Sequence, residues 1–206
     1  AFDEEAGNLQ FAPGGKFILF EASTRLSRHV LRVPVGGGEV RPLTRGDDLH
    51  RSLTLTRDGS LAAFVRENGK EPPEVHVAEA APGGPLRSVR PLSRLNGWAA
   101  EYATLSKEPL RWKGAGGMEI EGLLVRPAGA SPGRRVPLLT IVHGGPAGVF
   151  SNGFTLRRGV YPVQLFAQEG YAVLMPNPRG SGGYGEAFRK ANLRDWGEQD
   201  YEDIMA

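Results

Sequence analysis

Two stretches of the first half of this chain repeat one another. Phe11-Ala12-Pro13-Gly14-Gly15-Lys16-Phe17-Ile18-Leu19-Phe20 aligns with Leu55-Thr56-Arg57-Asp58-Gly59-Ser60-Leu61-Ala62-Ala63-Phe64, an offset of 59 − 15 = 44 at the turn glycine. Val33 to Val77 gives the same 44. Val40-Arg41-Pro42-Leu43-Thr44 returns as Val89-Arg90-Pro91-Leu92-Ser93, where the offset grows to 91 − 42 = 49 through the longer Pro82-Gly83-Gly84-Pro85 loop. Short strands between Gly, Pro and Asp turns, repeating in the mid-forties, predict four-stranded blades of a β-propeller. Gly15 and Gly59 supply the positive φ of a tight hairpin. The Phe/Leu-x-x-Phe that follows each is read as apolar side chains on a buried sheet face. A β-sandwich with similar hairpins is the competing fold. Two blades do not close a ring, which typically takes four to eight.

The periodicity changes near residue 96, which divides the chain into a propeller portion, 1–95, and a second domain, 96–206. Glu108–Trp112 and Met118–Val125 flank the Gly114-Ala115-Gly116-Gly117 turn as a hairpin. Pro137–Val142 is nearly all apolar, as a strand covered on both faces would be. A helix is predicted over about Val160–Glu169, closed by Gly170 as a left-handed cap, and Tyr171–Pro176 is a second continuous apolar strand. Strand, helix, strand implies a right-handed parallel crossover and hence an α/β sheet.

Composition narrows the function classes. With 25 Lys and Arg against 23 Asp and Glu, the net charge is only +2. The basic residues are scattered, which argues against a nucleic-acid partner. Cysteine is absent, which excludes a disulfide framework, a thiolate metal site and a cysteine nucleophile, and leaves the compartment open. No apolar run approaches the roughly 20 residues of a membrane span, so no membrane partner is expected. The opening Ala1-Phe2-Asp3-Glu4-Glu5 reads as the interior of a longer protein.

Two loops carry the chemistry. His143-Gly144-Gly145-Pro146 follows the third strand of the second domain, where the α/β-hydrolase fold donates a backbone N–H to its oxyanion hole. A plain turn after a strand is the alternative. Asn177-Pro178-Arg179-Gly180-Ser181-Gly182-Gly183-Tyr184-Gly185-Glu186 follows the Tyr171 strand. These two loops, with Asp195-Trp196-Gly197, Asp200 and Asp203, make the chain similar to serine peptidases of the prolyl oligopeptidase family, with the acylaminoacyl-peptidase-like branch most alike. The resemblance is dense from about Pro137 to Ala206, and a propeller is that family's companion domain.

It implies β-propeller blades followed by the N-terminal part of an α/β-hydrolase domain, a Ser-Asp-His triad, short peptide substrates and no cofactor. It leaves open whether the complete protein is a homo-oligomer. The expected site residues here are backbone donors Gly145 and, second, Gly144, with His143, Pro146, Arg179, Gly180 and Tyr184 in the surrounding loops. No triad residue is assigned. No Gly-x-Ser-x-Gly occurs, Arg179-Gly180-Ser181-Gly182-Gly183 failing at its first position, and all four histidines precede the expected serine, whereas this fold orders its triad Ser, Asp, His. His143 is therefore not the general base. Glu198 stands where the family often has a second glycine after Trp-Gly. Arg179 and Asp195 are either an ion pair bracing the glycine-rich loop or two solvated charges. The 206-residue polypeptide alone is expected to be inactive and not independently stable.

Other classes compete. Gly180-x-Gly182-x-x-Gly185 fits the dinucleotide pattern, but Asn177-Pro178-Arg179 separates it from the strand and no second strand with an acidic end follows. A phosphate loop would need Gly-Lys-Ser/Thr, which is absent. A non-catalytic binding protein and a carboxylesterase of the same fold stay open.

Overall fold

The computed structural model describes residues 2–81, 84–102, 105, 107–127, 129–130, 133, 135–145, 147–156 and 161–206. Pro82 and Gly83 of the repeat loop, Pro146 and Val160 lie outside the described residues.

Each repeat folds as one antiparallel meander. The first comprises β1 (Gly7–Phe11), β2 (Phe17–Thr24), β3 (Ser27–Pro34) and the two-residue β4 (Arg41–Pro42); the second comprises β5 (Leu49–Leu55), β6 (Leu61–Glu67), β7 (Glu74–Glu79) and β8 (Arg87–Pro91). A single parallel pairing, Arg28 opposite Leu49, joins them into one eight-stranded sheet. No ring closes among the described residues.

The repeat runs deeper than the aligned letters. Gly15 and Gly59 have φ of 65° and 74°, and the amides of Ala12 and Thr56 each donate across the hairpin at 2.9 Å, to the carbonyls of Phe17 and Leu61. The first strand of each unit slips register at the same point, between Gly7 and Gln10 and between Arg51 and Thr54. Asn8 (φ 51°) and Ser52 (φ 56°), again 52 − 8 = 44 apart, hold the left-handed conformation of these bulges. Nothing in Asn or Ser as residue types marks a bulge. Each unit also closes alike: the amide of Val30 donates to Thr44 Oγ1 at 3.0 Å, and that of Val75 to Ser93 Oγ at 2.9 Å.

Ala12, Leu19, Val30 and Leu43 of the first unit pack on Leu53, Ala62, Phe64 and Ala78 of the second. This cluster corrects one sequence expectation. Residues three apart on a strand point to opposite faces, so Phe17 sides with this cluster while Phe20 joins Ala22 and Leu31 on the far face, and Leu61 is exposed. Phe20 and Phe64 are equivalent across the repeat, yet among the described residues only Phe64 is covered by a neighbouring unit. Beyond Phe20 lies an open apolar groove lined by Phe2, Leu9, Ile18, Leu31, Val33 and Val40.

A row of rings crosses this sheet, His29 to His50 at 5.8 Å, His50 to Phe64 at 5.6 Å and Phe64 to His76 at 6.1 Å. Burial lowers the pKa of His50 from 6.5 to about 4, against the opposing pull of the Arg28 carbonyl and Asp48. Because the folded pKa lies below the unfolded one, the unfolded chain takes up the proton first as pH falls. The stability of the neutral buried ring is therefore complete above pH 6.5 and lost between there and about 4, up to about 3 kcal/mol. Unfolding of the complete protein followed at several pH values should show a shallower acid slope for His50→Phe than for wild type; equal slopes would contradict the assignment.

The second sheet comprises β9 (Lys107–Lys113), β10 (Glu119–Val125), β11 (Leu138–Thr140) and β12 (Ala172–Asn177), in spatial order β9-β10-β12-β11. β10 is antiparallel to both β9 and β12, whereas β11 and β12 are parallel and joined through α1 (Val163–Gln168). The crossover read from the sequence is present. Its helix is shorter than expected, beginning after Pro162, and Gly170 follows at φ 92°. The Pro137–Val142 run predicts a strand covered on both faces; among the described residues β11 pairs only with β12, and Leu138 is 57 % exposed at the sheet edge. Two further α-helices, α2 (Glu186–Lys190) and α3 (Gln199–Met205), follow the sheet. No helix among the described residues is long and apolar enough to cross a membrane.

Candidate functional site

Parallel β11 and β12 send their carboxyl ends to the same edge, which is where open α/β sheets place ligands. The loops 141–150 and 178–185 therefore emerge side by side. The amide of Gly182 donates to the Gly148 carbonyl at 3.2 Å, and a Cβ on Gly182 would stand 2.9 Å from the Ala147 carbonyl oxygen. Glycine is needed there because two backbones touch.

His143 Nε2 lies 3.1 Å from Ser181 Oγ, whose hydroxyl is also 2.7 Å from the Pro178 carbonyl, and the imidazole meets the Phe150 ring edge-on at 5.1 Å. Burial lowers the imidazole pKa, outweighing the hydrogen bonds to the Gly144 carbonyl and Asn177. A Ser–His contact invites a nucleophile–base reading. Ser181 is 1 % exposed, however, so no substrate reaches it; the pair is a strut between the two loops. Gly144 and Gly145 are exposed. Gly145 has φ 133°, and a Cβ there would stand 2.7 Å from the Gly148 amide nitrogen.

Arg179 does not pair with Asp195, and it is not solvated. Its Nε and Nη2 each donate to Asp203 at 2.8 Å, its backbone amide donates to Asp203 Oδ2 at 3.1 Å, Nη2 reaches the Ala115 carbonyl at 2.7 Å, and Nη1 meets Gln199. Asp203 is wholly buried. Its other oxygen accepts the Ala115 amide at 3.0 Å, and its carbonyl accepts Trp112 Nε1 at 2.6 Å. Asp195 stands only four residues before Gln199, ahead of the turn that opens α3, whereas Asp203 on α3 faces the sheet. Glu198, before α3, has φ −103°, so the positive φ that calls for glycine is not used there.

The amides of the glycine-rich loop are occupied within the chain: those of Gly180, Ser181 and Gly182 by backbone carbonyls, and three more by carboxylates. Gly183 N–H donates to Glu4 at 3.0 Å, Gly185 N–H to the same carboxylate, and Glu186 N–H to Asp3 at 3.1 Å. A phosphate cradle would need these donors free.

The profile of the prolyl oligopeptidase family matches residues 160–206. The probable dipeptidyl-peptidase 5 of Emericella nidulans is 34 % identical over 94 residues, 46 % of this chain and 13 % of that protein. The acylaminoacyl peptidase of Pyrococcus horikoshii superposes with a TM-score of 0.79 at 26 % identity, over 99 % of this chain and 30 % of that one. An acylaminoacyl peptidase in complex with Z-Gly-Gly-Phe-chloromethyl ketone gives 0.79 and 25 %, with the same coverage. Over residues 160–206 the chain is similar to the prolyl oligopeptidase family. It spans less than a third of the length of each of these relatives.

The residues that sequence reasoning missed form one network. Asn177, at the end of β12 and fully buried, accepts the Phe150 amide at 2.7 Å and donates to the Phe150 carbonyl and to Tyr184 Oη, both at 3.0 Å. Tyr184 Oη lies 3.0 Å from Glu121 Oε2, where it donates. Glu121 is also buried, and is held by Arg25 through two contacts of 3.1 Å and by Arg111 at 2.8 Å. Burial alone would raise the Glu121 pKa, but the hydrogen bonds from Arg25, Arg111 and Tyr184 bring it below the usual range. Glu121 and Arg25 carried no motif, since a charge in the alternation of β10 or at the β2–β3 turn reads as solvent-facing.

Proposed function

We propose that the complete protein is a serine peptidase acting on short peptides through an acyl-enzyme. In this reading residues 1–95 form two propeller blades and 96–206 the beginning of an α/β-hydrolase domain. The observation that carries it is the strand order β9-β10-β12-β11, with the exposed Gly144–Gly145 turn directly after the third strand in sequence. That is the position from which the hydrolase fold supplies an oxyanion donor. The backbone N–H of Gly145, or in second place Gly144, takes that role, while His143, Pro146, Arg179, Gly180 and Tyr184 build the surrounding loops. The peptidyl chloromethyl ketone in a structural neighbour supports a peptide substrate.

The complete protein should hydrolyse N-acyl-peptide or dipeptide chromogenic substrates, and a peptidyl phosphonate should abolish turnover by labelling a serine in a Gly-x-Ser-x-Gly sequence. No such sequence occurs among these 206 residues, so the polypeptide 1–206 should show no turnover. Label on Ser181, or turnover by 1–206, would overturn the reading. Faster cleavage of simple esters than of any peptide would indicate the carboxylesterase, and peptide binding without cleavage the binding protein.

A further inference from the structure

We propose that Arg25, on the β2–β3 hairpin of the first sheet, is a positioning residue that fixes the geometry of the 143–150 loop through Glu121, Tyr184 and Asn177. The inference rests on the peptidase reading above and adds to it a route by which the propeller half controls the reactive loop.

The hairpin tip enters the second sheet's territory. Leu26 is buried with Leu123, Val125, Ile141 and Val173, and its carbonyl accepts the Asn152 amide at 2.8 Å. Arg25, beside it, has φ 53°. Its amide donates to the Gly183 carbonyl at 2.7 Å, its guanidinium lies 5.3 Å from the centre of the Tyr184 ring, and the same guanidinium grips both oxygens of Glu121. One residue of the first sheet thus touches the backbone, the ring and the hydrogen-bond acceptor that together hold Tyr184.

Tyr184 passes that constraint on. Its single hydroxyl hydrogen goes to Glu121, so its lone pair faces Asn177 and selects Nδ2 as the donor. With Nδ2 on that side, Oδ1 is left to accept the Phe150 amide while Nδ2 also serves the Phe150 carbonyl. Phe150 ends the loop that carries Gly144 and Gly145, and its ring packs on His143. Leu26 anchors the two sheets together, whereas Arg25 orients a loop; the two neighbouring residues have separable roles.

The test uses the complete protein with Arg25→Met, Arg25→Lys, Tyr184→Phe and Leu26→Ala. Small displacements of a reactive loop cost up to about 100-fold in rate, so kcat should fall about 10- to 100-fold in Arg25→Met and less, about 3- to 10-fold, in Tyr184→Phe. KM for a short peptide should stay within about twofold, since ground-state binding is untouched. Affinity for a peptidyl trifluoromethyl ketone, which forms a tetrahedral adduct, should fall in parallel with kcat. Arg25→Lys should recover part of the loss by keeping a charge on Glu121. Leu26→Ala should lower the melting temperature but keep kcat and adduct affinity. The inference fails if Tyr184→Phe and a folded Arg25→Met both retain full kcat and adduct affinity, or if Leu26→Ala loses as much of both. A wild-type protein with no hydrolytic activity would remove the peptidase reading and this inference with it, whereas an active wild type with unaffected variants would remove the inference alone.

Discussion

Asp203→Ala in the complete protein is expected to destabilise the second sheet and its helices by about 3 to 5 kcal/mol, the usual cost of stripping one partner from a buried ion pair. The Asp203 carboxylate accepts four hydrogen bonds, two from the Arg179 guanidinium, one from the Arg179 amide and one from the Ala115 amide. A carboxylate has about four acceptor sites, so each is used. Alanine would leave a guanidinium that is 5 % exposed with only Gln199 and the Ala115 carbonyl for partners. Removing both charges is a different matter, because their desolvation cost disappears with their attraction. Arg179→Met with Asp203→Leu should therefore recover at least half of the loss. Urea unfolding followed by tryptophan fluorescence is the measurement, since Trp112 Nε1 donates to the Asp203 carbonyl. A loss below about 1 kcal/mol for the single variant, or a double variant as unstable as the single, would refute this account of the pair.

On the peptidase proposal, Gly145→Pro should cost the complete protein about 2.7 to 4 kcal/mol of transition-state stabilisation, or a 100- to 1,000-fold fall in kcat, through loss of the oxyanion donor N–H. The φ of 133° complicates the experiment, because proline is fixed near −65° and would reshape the turn as well as delete the hydrogen. Gly145→Ala separates the two effects. It keeps the N–H but sets a Cβ against the Gly148 amide, so its loss measures the distortion alone. The donor role predicts that proline loses at least tenfold more kcat than alanine at similar KM. Equal losses would assign the effect to loop shape, and full kcat in a folded proline variant would end the assignment.

The parts of this fold that the sequence made legible are those written in turn chemistry and continuous apolar runs. Gly15 and Gly59 announced the hairpins, and the runs around Leu139 and Val173 announced a parallel crossover. What escaped depends on distance along the chain. Asp203 lies 24 residues from Arg179 and Glu121 lies 96 from Arg25, and no local pattern says which carboxylate a guanidinium will find. Asp195 was the nearer candidate, but nearness in sequence loses to the face on which α3 lands. The bulges at Asn8 and Ser52 escaped for a further reason, since neither residue type requires positive φ; the neighbouring unit holds the second of them, with Glu21 accepting the Ser52 amide at 2.6 Å. At the candidate site, the glycines marked the loops, whereas the side chains that brace them looked like ordinary surface charge.

The equivalence of Phe20 and Phe64 carries a further consequence for how such units associate. Because the surface that receives a unit differs from the surface it offers, contact between successive units is heterologous, and a heterologous contact repeats indefinitely unless a fixed rotation brings the last surface round to the first. Phe20 stands on the face that, in the second unit, Phe64 lays against its neighbour, so one kind of contact uses two different faces of the same fold unit.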